Sequence, residues 1–344
     1  MPRTVLRISL YLVLFVGGFA MVGAWLRANM RERIKVEFYK TVKDEIDVIF
    51  LGSSHVFRQF DPALFDAQRQ DEPSGLRSVN LASLGMGFWE EYYMLHRILK
   101  EDAPNLKWIV VEALPYVVEM QNENDFGLRR IEWHDSPTTW RLLAEIYAQD
   151  APWQDRWALM QRHLEHWWRR SLQLARGVEL VQRWGKEPLE TFANFASLGA
   201  NGDGYLPLEV ATASEKQRGM RRNFRRNPQK LIAGAKAMQG PGPRNLPDSG
   251  MLSAIQELEA LAASHEVELI WWMHPNLQRY MGWRYMKASG VIQHFIAYDD
   301  SEAHPELYRV EAHFDLYHLN RQAAERMTMT FAFDFVTLIQ EEEN

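Results

Sequence analysis

The chain has 344 residues, a formal net charge of −6, 47% hydrophobic residues and 12% aromatic ones. The charge balance gives no reason to expect nucleic acid as a partner, and the apolar content suffices for the core of one large or two modest domains. Cysteine is absent, which excludes disulfides, thiolate metal sites and a cysteine nucleophile.

Residues 8–26, ISLYLVLFVGGFAMVGAWL, carry no charge and are about long enough to cross a hydrocarbon core of roughly 30 Å. Arg3 and Arg7 precede them, and Arg27, Arg31, Arg33 and Lys35 follow, so charge bias at the flanks does not favour an inside N-terminus. Val22-Gly23-Ala24 offers a signal-peptide cleavage site as the alternative, but the apolar run exceeds a usual signal core, which favours a retained anchor. Residues 1–7 then form a short cytoplasmic N-terminus and 27–45 a charged, helix-compatible juxtamembrane spacer. Residues 46–340 form a soluble domain on one side of a membrane.

Strand patterns follow at 46–51, 78–82, 108–113, 267–273 and 291–297, alternating with helical ones. Asp61-Pro62 reads as an N-cap with proline at the first helical position. Residues 88–100 are amphipathic, Ser249 is placed to cap a helix over 250–264, and a last helix follows Asn320. Alternation of this kind predicts a parallel sheet with helices on both faces. Residues from about 120 to 248 break it with long helical patterns from Pro152 to Trp184 and a Gly/Pro-rich exit, GPGPRNLP. They hold seven of the thirteen tryptophans and read as a large, mainly helical insertion. Spacings such as Trp153/Trp157 and Trp157/Trp168 suit packing on one helix face, with carbohydrate stacking as the alternative. His163-Leu-Glu-His166 matches no zinc-protease spacing, so no metal and no cofactor is expected. KQRGMRRNFRRNPQK (216–230) reads as a solvated helix or loop, with an anionic polymer or lipid headgroups as the alternative ligand.

The chemistry is concentrated in two stretches. DVIFLGSSHVF (47–57) runs four apolar residues into Gly52, Ser53, Ser54 and His55, and such strand exits are where open α/β sheets place ligands. HFDLYHLNRQAAERM (313–327) sets Asp315 three residues before His318, close enough for the carboxylate to orient the imidazole and leave Nε2 as a base. Together they supply a nucleophile, a base and its orienter.

FLGSSH (50–55), NLASLG (80–85) and DLYHLN (315–320), in that order, resemble the SGNH, or GDSL-like, hydrolase superfamily over roughly residues 46–118 and 250–335. The resemblance implies a flavodoxin-like three-layer α/β/α fold. It makes Ser54 the nucleophile, with Ser53 where the family has aspartate, and Asp315 and His318 the orienter and base. Asn80, Ala82 and Gly85 match the second block, and the N–H groups of Ser54 and Gly85 would line the oxyanion hole. The family's third block supplies an asparagine donor; here WIVVEALPY (108–116) carries Glu112 near that position. Losing such a donor costs on the order of 10²–10³ in rate unless another group, His55 or an insertion residue, replaces it. His274-Pro275-Asn276 ends a strand on the same edge, so His274 and Asn276 are candidate pocket residues beside Ser53, His55, Asn80 and Glu112.

An N-terminal anchor, a Gly-Ser-Ser first block and no third-block asparagine are most similar to the membrane-anchored branch that acylates bacterial envelope polymers. That likeness implies a serine O-acyltransferase or carbohydrate esterase handling O-acetyl groups on an envelope polysaccharide, beside a membrane-bound O-acyltransferase. It places the domain in the periplasm, held by one helix in the inner membrane. A catalytically inactive accessory protein that binds polymer or the acyltransferase is the alternative.

Overall fold

A computed structural model describes residues 3–29, 34–68, 75–118, 128–174, 197–211, 215–238, 246–277 and 279–342. Arg31 and Arg33, the helical pattern from 175 to Trp184 and residues 240–245 of the Gly/Pro-rich exit lie outside the described residues. The chain forms two compact units, Met1–Arg33 with Val117–Thr191 and Ile34–Tyr116 with Phe192–Asn344.

In chain order the elements begin with α1 (Arg3–Asn29), α2 (Ile34–Val42), β1 (Val48–Leu51), α3 (Ser54–Gln59), α4 (Pro62–Ala67) and β2 (Ser78–Asn80). Next come α5 (Phe88–Leu99), β3 (Trp108–Glu112), α6 (Leu128–Trp133), α7 (Ser136–Ala148) and α8 (Trp153–Ser171). The remainder are α9 (Leu208–Ala211), α10 (Glu215–Arg226), α11 (Gln229–Ala237), α12 (Ser249–Ser264), β4 (Glu268–Met273), α13 (Met281–Ala288), β5 (His294–Ala297) and α14 (Arg321–Glu342).

In the second unit the five strands form one parallel sheet in the order β2-β1-β3-β4-β5. Four apolar residues in a row make β1, all of them fully buried, as a strand covered on both faces requires. Val48, Phe50, Val110, Ile270 and Trp272 share one core cluster with Met327, Phe331 and Phe335 of α14, and the Phe50 ring stacks on Phe60 at 4.6 Å. Their alternates Ile49, Leu51, Ile109, Val111 and Leu269 are equally buried. On that side α12 packs on β4 and α5, where Tyr92 donates to Glu257 Oε1 at 2.6 Å. Each fully buried aromatic or large aliphatic side chain stabilises by roughly 1.5–3 kcal/mol.

The strands are shorter than their sequence patterns. β2 spans Ser78–Asn80, with the Leu81 N–H still on the Phe50 carbonyl at 2.8 Å, and β5 starts at His294. Asp61 caps α4 as expected, accepting the Leu64 N–H at 3.2 Å. The cap of α12 is Asp248, which accepts the Met251 N–H at 2.7 Å, with Ser249 already inside the helix. The charged segment before β1 is part of this unit: α2 buries Val36, Tyr39 and Lys35. The Lys35 ammonium donates to the Asn80, Ala82 and Gly204 carbonyls at 2.9, 2.5 and 3.0 Å. The basic stretch forms α10 and the start of α11, burying Phe224 while Arg218, Arg222, Arg225 and Arg226 face solvent.

In the first unit, Thr4–Leu26 within α1 is long and apolar enough to cross a membrane. α7 and α8 pack on each other, with Trp140 5.4 Å from Trp167. The packing expected of the tryptophans holds for Trp133, which is buried, and is overturned on α8, where Trp153, Trp157 and Trp168 are 50, 43 and 53% exposed. What α8 buries instead are His163 and His166, the residues of its His-x-x-His stretch. His163 Nδ1 lies 2.9 Å from His134 Nε2, and the outer nitrogens of the pair reach the Val118 and Arg130 carbonyls. The two histidines thus occupy the covered face of α8 and the indoles the exposed one.

Candidate active site

The strand order 2-1-3-4-5 reverses direction between β1 and β3, and ligands of doubly wound sheets bind beyond the strand ends at that point. Gly52, Ser53 and Ser54 leave β1 there. A Cβ on Gly52 would sit 2.5 Å from Val56 Cγ2 and 2.7 Å from Glu112 Cβ, so only glycine lets β1 end this close to β3. Ser53 caps α3, its hydroxyl accepting the His55 N–H at 3.3 Å, and Ser54 is the first residue of the helix.

The loop before α14 brings the partners. The Phe314 N–H donates to the His318 carbonyl, His313 bridges Leu319, and Asn320 accepts the Ala323 N–H. In this closed turn the buried Asp315 carboxylate accepts the backbone N–H of Tyr317 at 2.9 Å and of His318 at 3.0 Å. His318 Nδ1 lies 3.0 and 3.1 Å from the two Asp315 oxygens, and His318 Nε2 lies 2.9 Å from Ser54 Oγ. Burial works to raise the Asp315 pKa, but the hydrogen bond and charge of His318 and the two N–H donors outweigh it and hold the carboxyl below its usual range. An ionised Asp315 fixes the proton of His318 on Nδ1 and leaves Nε2 to accept the Ser54 hydroxyl proton.

Gly85 lies in the loop after β2, which is laced to the β1 exit by the Ser83 N–H donating to the Gly52 carbonyl at 2.9 Å. Its φ of 62° is one that glycine adopts without strain. Among the described residues, nothing accepts the N–H of Ser54 or of Gly85, as an oxyanion site needs. Asn80 stands apart from this edge. It is fully buried, donates to the Val56 and Phe60 carbonyls, accepts the Ala82 N–H, and so fastens α3 to the β2 exit rather than lining a pocket.

Glu112, at the end of β3, is fully buried, at the strand end where the resemblance leads one to expect an asparagine. Its Oε2 accepts the Ser53 N–H at 2.6 Å, while Oε1 lies 2.9 Å from His55 Nδ1 and 3.1 Å from His274 Nδ1. Burial opposes its ionisation, but the charge of His55 and the close approach of both imidazoles push its pKa far below the usual range. Neighbouring Glu91 is the converse: burial, then the charges of Glu112 and Glu90, raise its pKa well above the carboxylate range, so it stays protonated.

His55, Glu112 and His274 place their donor atoms within 4.8 Å of one another, close enough to share a cation. The two imidazoles, however, stack at 3.7 Å between centroids with 8° between planes. Stacked rings cannot both aim an in-plane nitrogen at one point, so His55 Nδ1 is the hydrogen-bonded partner of Glu112 Oε1 and His274 Nδ1 is left without one. The His55 ring is also 5.2 Å from that of His318. Both imidazoles line a cavity of about 260 Å³, with Asn276, Tyr280, Tyr308 and Tyr317 among its other walls. The Tyr308 hydroxyl accepts the Asn276 N–H at 3.2 Å, which holds the His274–Asn276 turn over the strand end.

No family model and no curated protein sequence matches the chain. The geometry therefore stands as the support for any functional reading. Ser54, Asp315 and His318 come together, and Ser53, His55, Glu112 and His274 form a second cluster beside them. The tyrosines of the cavity and the approach of two histidines to Glu112 were missed in the sequence. Their one advance signal was a lone carboxylate closing an otherwise apolar strand.

Proposed function

We propose that the protein is a membrane-anchored serine acyltransferase or esterase of the SGNH type. In this reading it handles O-acetyl groups on an envelope polysaccharide, its catalytic domain lies outside the cytoplasm of a bacterial cell, and a membrane-bound O-acyltransferase is its partner. The observation that carries the reading is the 2.9 Å separation of Ser54 Oγ and His318 Nε2, with His318 Nδ1 on the Asp315 carboxylate.

Ser54 Oγ attacks the acyl carbonyl and passes its proton to His318 Nε2, while Asp315 holds the imidazole and balances its charge. The N–H groups of Ser54 and Gly85 receive the negative oxygen. The proton then goes to the departing alkoxide, leaving an ester on Ser54 that water or a second hydroxyl resolves.

Glu112 in place of a neutral donor favours the other reading, a non-catalytic accessory that binds polymer or the acyltransferase. Complementation separates the two in a bacterium lacking its own copy. The wild-type chain should restore envelope O-acetylation and Ser54→Ala should not; full rescue by Ser54→Ala would support the accessory role. A reporter active only outside the cytoplasm, fused to the C-terminus, should be active, and its silence would remove the envelope substrate altogether.

A further inference from the structure

We propose that the indole face of α8 is a seat in the membrane interface, occupied by the boundary between headgroups and acyl chains of a lipid bilayer. This adds a second membrane contact to the anchor of the proposed function and does not depend on the serine chemistry.

The argument starts from the three indoles that α8 leaves uncovered. At about 100° per residue, Trp153, Trp157 and Trp168 fall within roughly 60° of one another around the helix, and Leu164 falls between them. They form a stripe about 22 Å long, with the buried His163 and His166 on the opposite side. The arc from Trp167 through the stripe to Gln154, about 140° wide, holds no charged residue. An uncharged arc of that width is normally the covered face of a helix. Here its three tryptophans face outward.

Helix α7 extends the surface at both ends. The exposed Trp140 lies 5.4 Å from Trp167, whose ring meets Trp168 at 4.9 Å. Toward the start of α8, the Arg156 guanidinium spans the Trp153 ring at 5.6 Å and the exposed Tyr147 ring at 5.8 Å. Large exposed rings in such a continuous patch mark an interaction site.

The occupant follows from the company and the chemistry of these rings. The first unit holds both α8 and α1, whose segment Thr4–Leu26 is long and apolar enough to cross a membrane. Trp25, 49% exposed, stands at the end of that segment, where interfacial tryptophans collect. Tryptophan and tyrosine join an apolar body to a polar N–H or O–H, which suits them to headgroup depth. A sugar polymer is the other ligand of exposed indoles, but sugar sites are concave and the outward surface of a helix is convex. With no charge in the stripe, the seat works through ring burial and should be indifferent to salt and to anionic lipid.

The chain has no cysteine, so single cysteines can carry a nitroxide with no other change. The test reconstitutes the full-length protein alone into phosphatidylcholine vesicles, labelled in turn at Phe15→Cys, Trp157→Cys, Gln161→Cys, Trp168→Cys and Gln256→Cys. Gln161 borders the stripe and its replacement keeps every indole, while Gln256 is exposed on α12 of the second unit. Paramagnetic resonance then compares collisions with oxygen, which concentrates in lipid, and with a water-soluble nickel chelate. The oxygen-to-nickel ratio at 157, 161 and 168 should exceed that at 256 at least roughly three-fold, and should hold at about 1 M salt. A ratio no higher than at 256 would overturn the seat and leave the face to a polymer or a soluble partner. Low collision with both reagents would also overturn it, because protein then covers the face. A lipid signal at 157, 161 and 168 with none at 15 would uphold the seat and remove the anchor reading instead.

Discussion

Ser54 Oγ stands 2.9 Å from His318 Nε2 across 264 residues of chain, and the imidazole is aimed from behind by Asp315. The aim depends on a carboxylate that accepts from Nδ1. Asp315→Asn can turn its amide N–H toward Nδ1, which moves the imidazole proton to Nε2 and blocks the base. Turnover of an aryl acetate should therefore fall by about 10²–10⁴ with the fold unchanged. A loss of less than about ten-fold would mean that Asp315 does not orient the base.

Lys35 links the segment after α1 to the loop behind the site. Lys35 is 5% exposed, with its ammonium among the Asn80, Ala82 and Gly204 carbonyls, and a Cβ on Gly204 (φ 93°) would fall 1.9 Å from Asn80 O. Lys35→Met keeps the aliphatic stem but leaves three buried acceptors unpaired, and should cost roughly 2–4 kcal/mol in urea unfolding. Gly204→Ala should cost a similar amount by forcing the loop from β2. Wild-type stability in both variants would show the Lys35 contacts to be incidental.

These two places mark what the sequence made legible. The Gly-Ser-Ser exit and the Asp-x-x-His turn were readable because each is local: a strand end, and three residues of one loop. So was the alternation that builds the parallel sheet. Lys35 was not, since a charged segment after an apolar helix has the composition of a solvated spacer, and only the fold supplies the ring of carbonyls that buries it. Glu112 was seen as a departure from a pattern. Its partners leave β1 and β4 and meet only when β3 lies between those strands. The tryptophans of α8 failed for another reason: helical spacing says that residues share a face but not whether that face is covered.

Stability should depend on pH through Glu259, which accepts the Trp271 indole N–H at 2.7 Å on the α12 side of the sheet. Burial pushes its pKa up to about 7, only partly offset by that hydrogen bond. A carboxyl with a raised folded pKa binds its proton more tightly when folded. Its contribution is therefore full below the unfolded value of 4.5 and is lost as pH rises through about 7. Between pH 5 and pH 8 the wild type should lose on the order of 1 kcal/mol relative to Glu259→Gln. A difference between the two proteins that stays constant over that range would contradict the assignment.

The central claim is that Ser54 carries the acyl group. The most direct measurement mixes full-length protein with p-nitrophenyl acetate, quenches in acid within the first turnover, and maps the adduct by peptide mass spectrometry. One acetyl group should appear on Ser54, and none on that peptide in Ser54→Ala or His318→Ala. Release of nitrophenol with no acetyl on Ser54, or with acetyl only on another residue, would contradict the account.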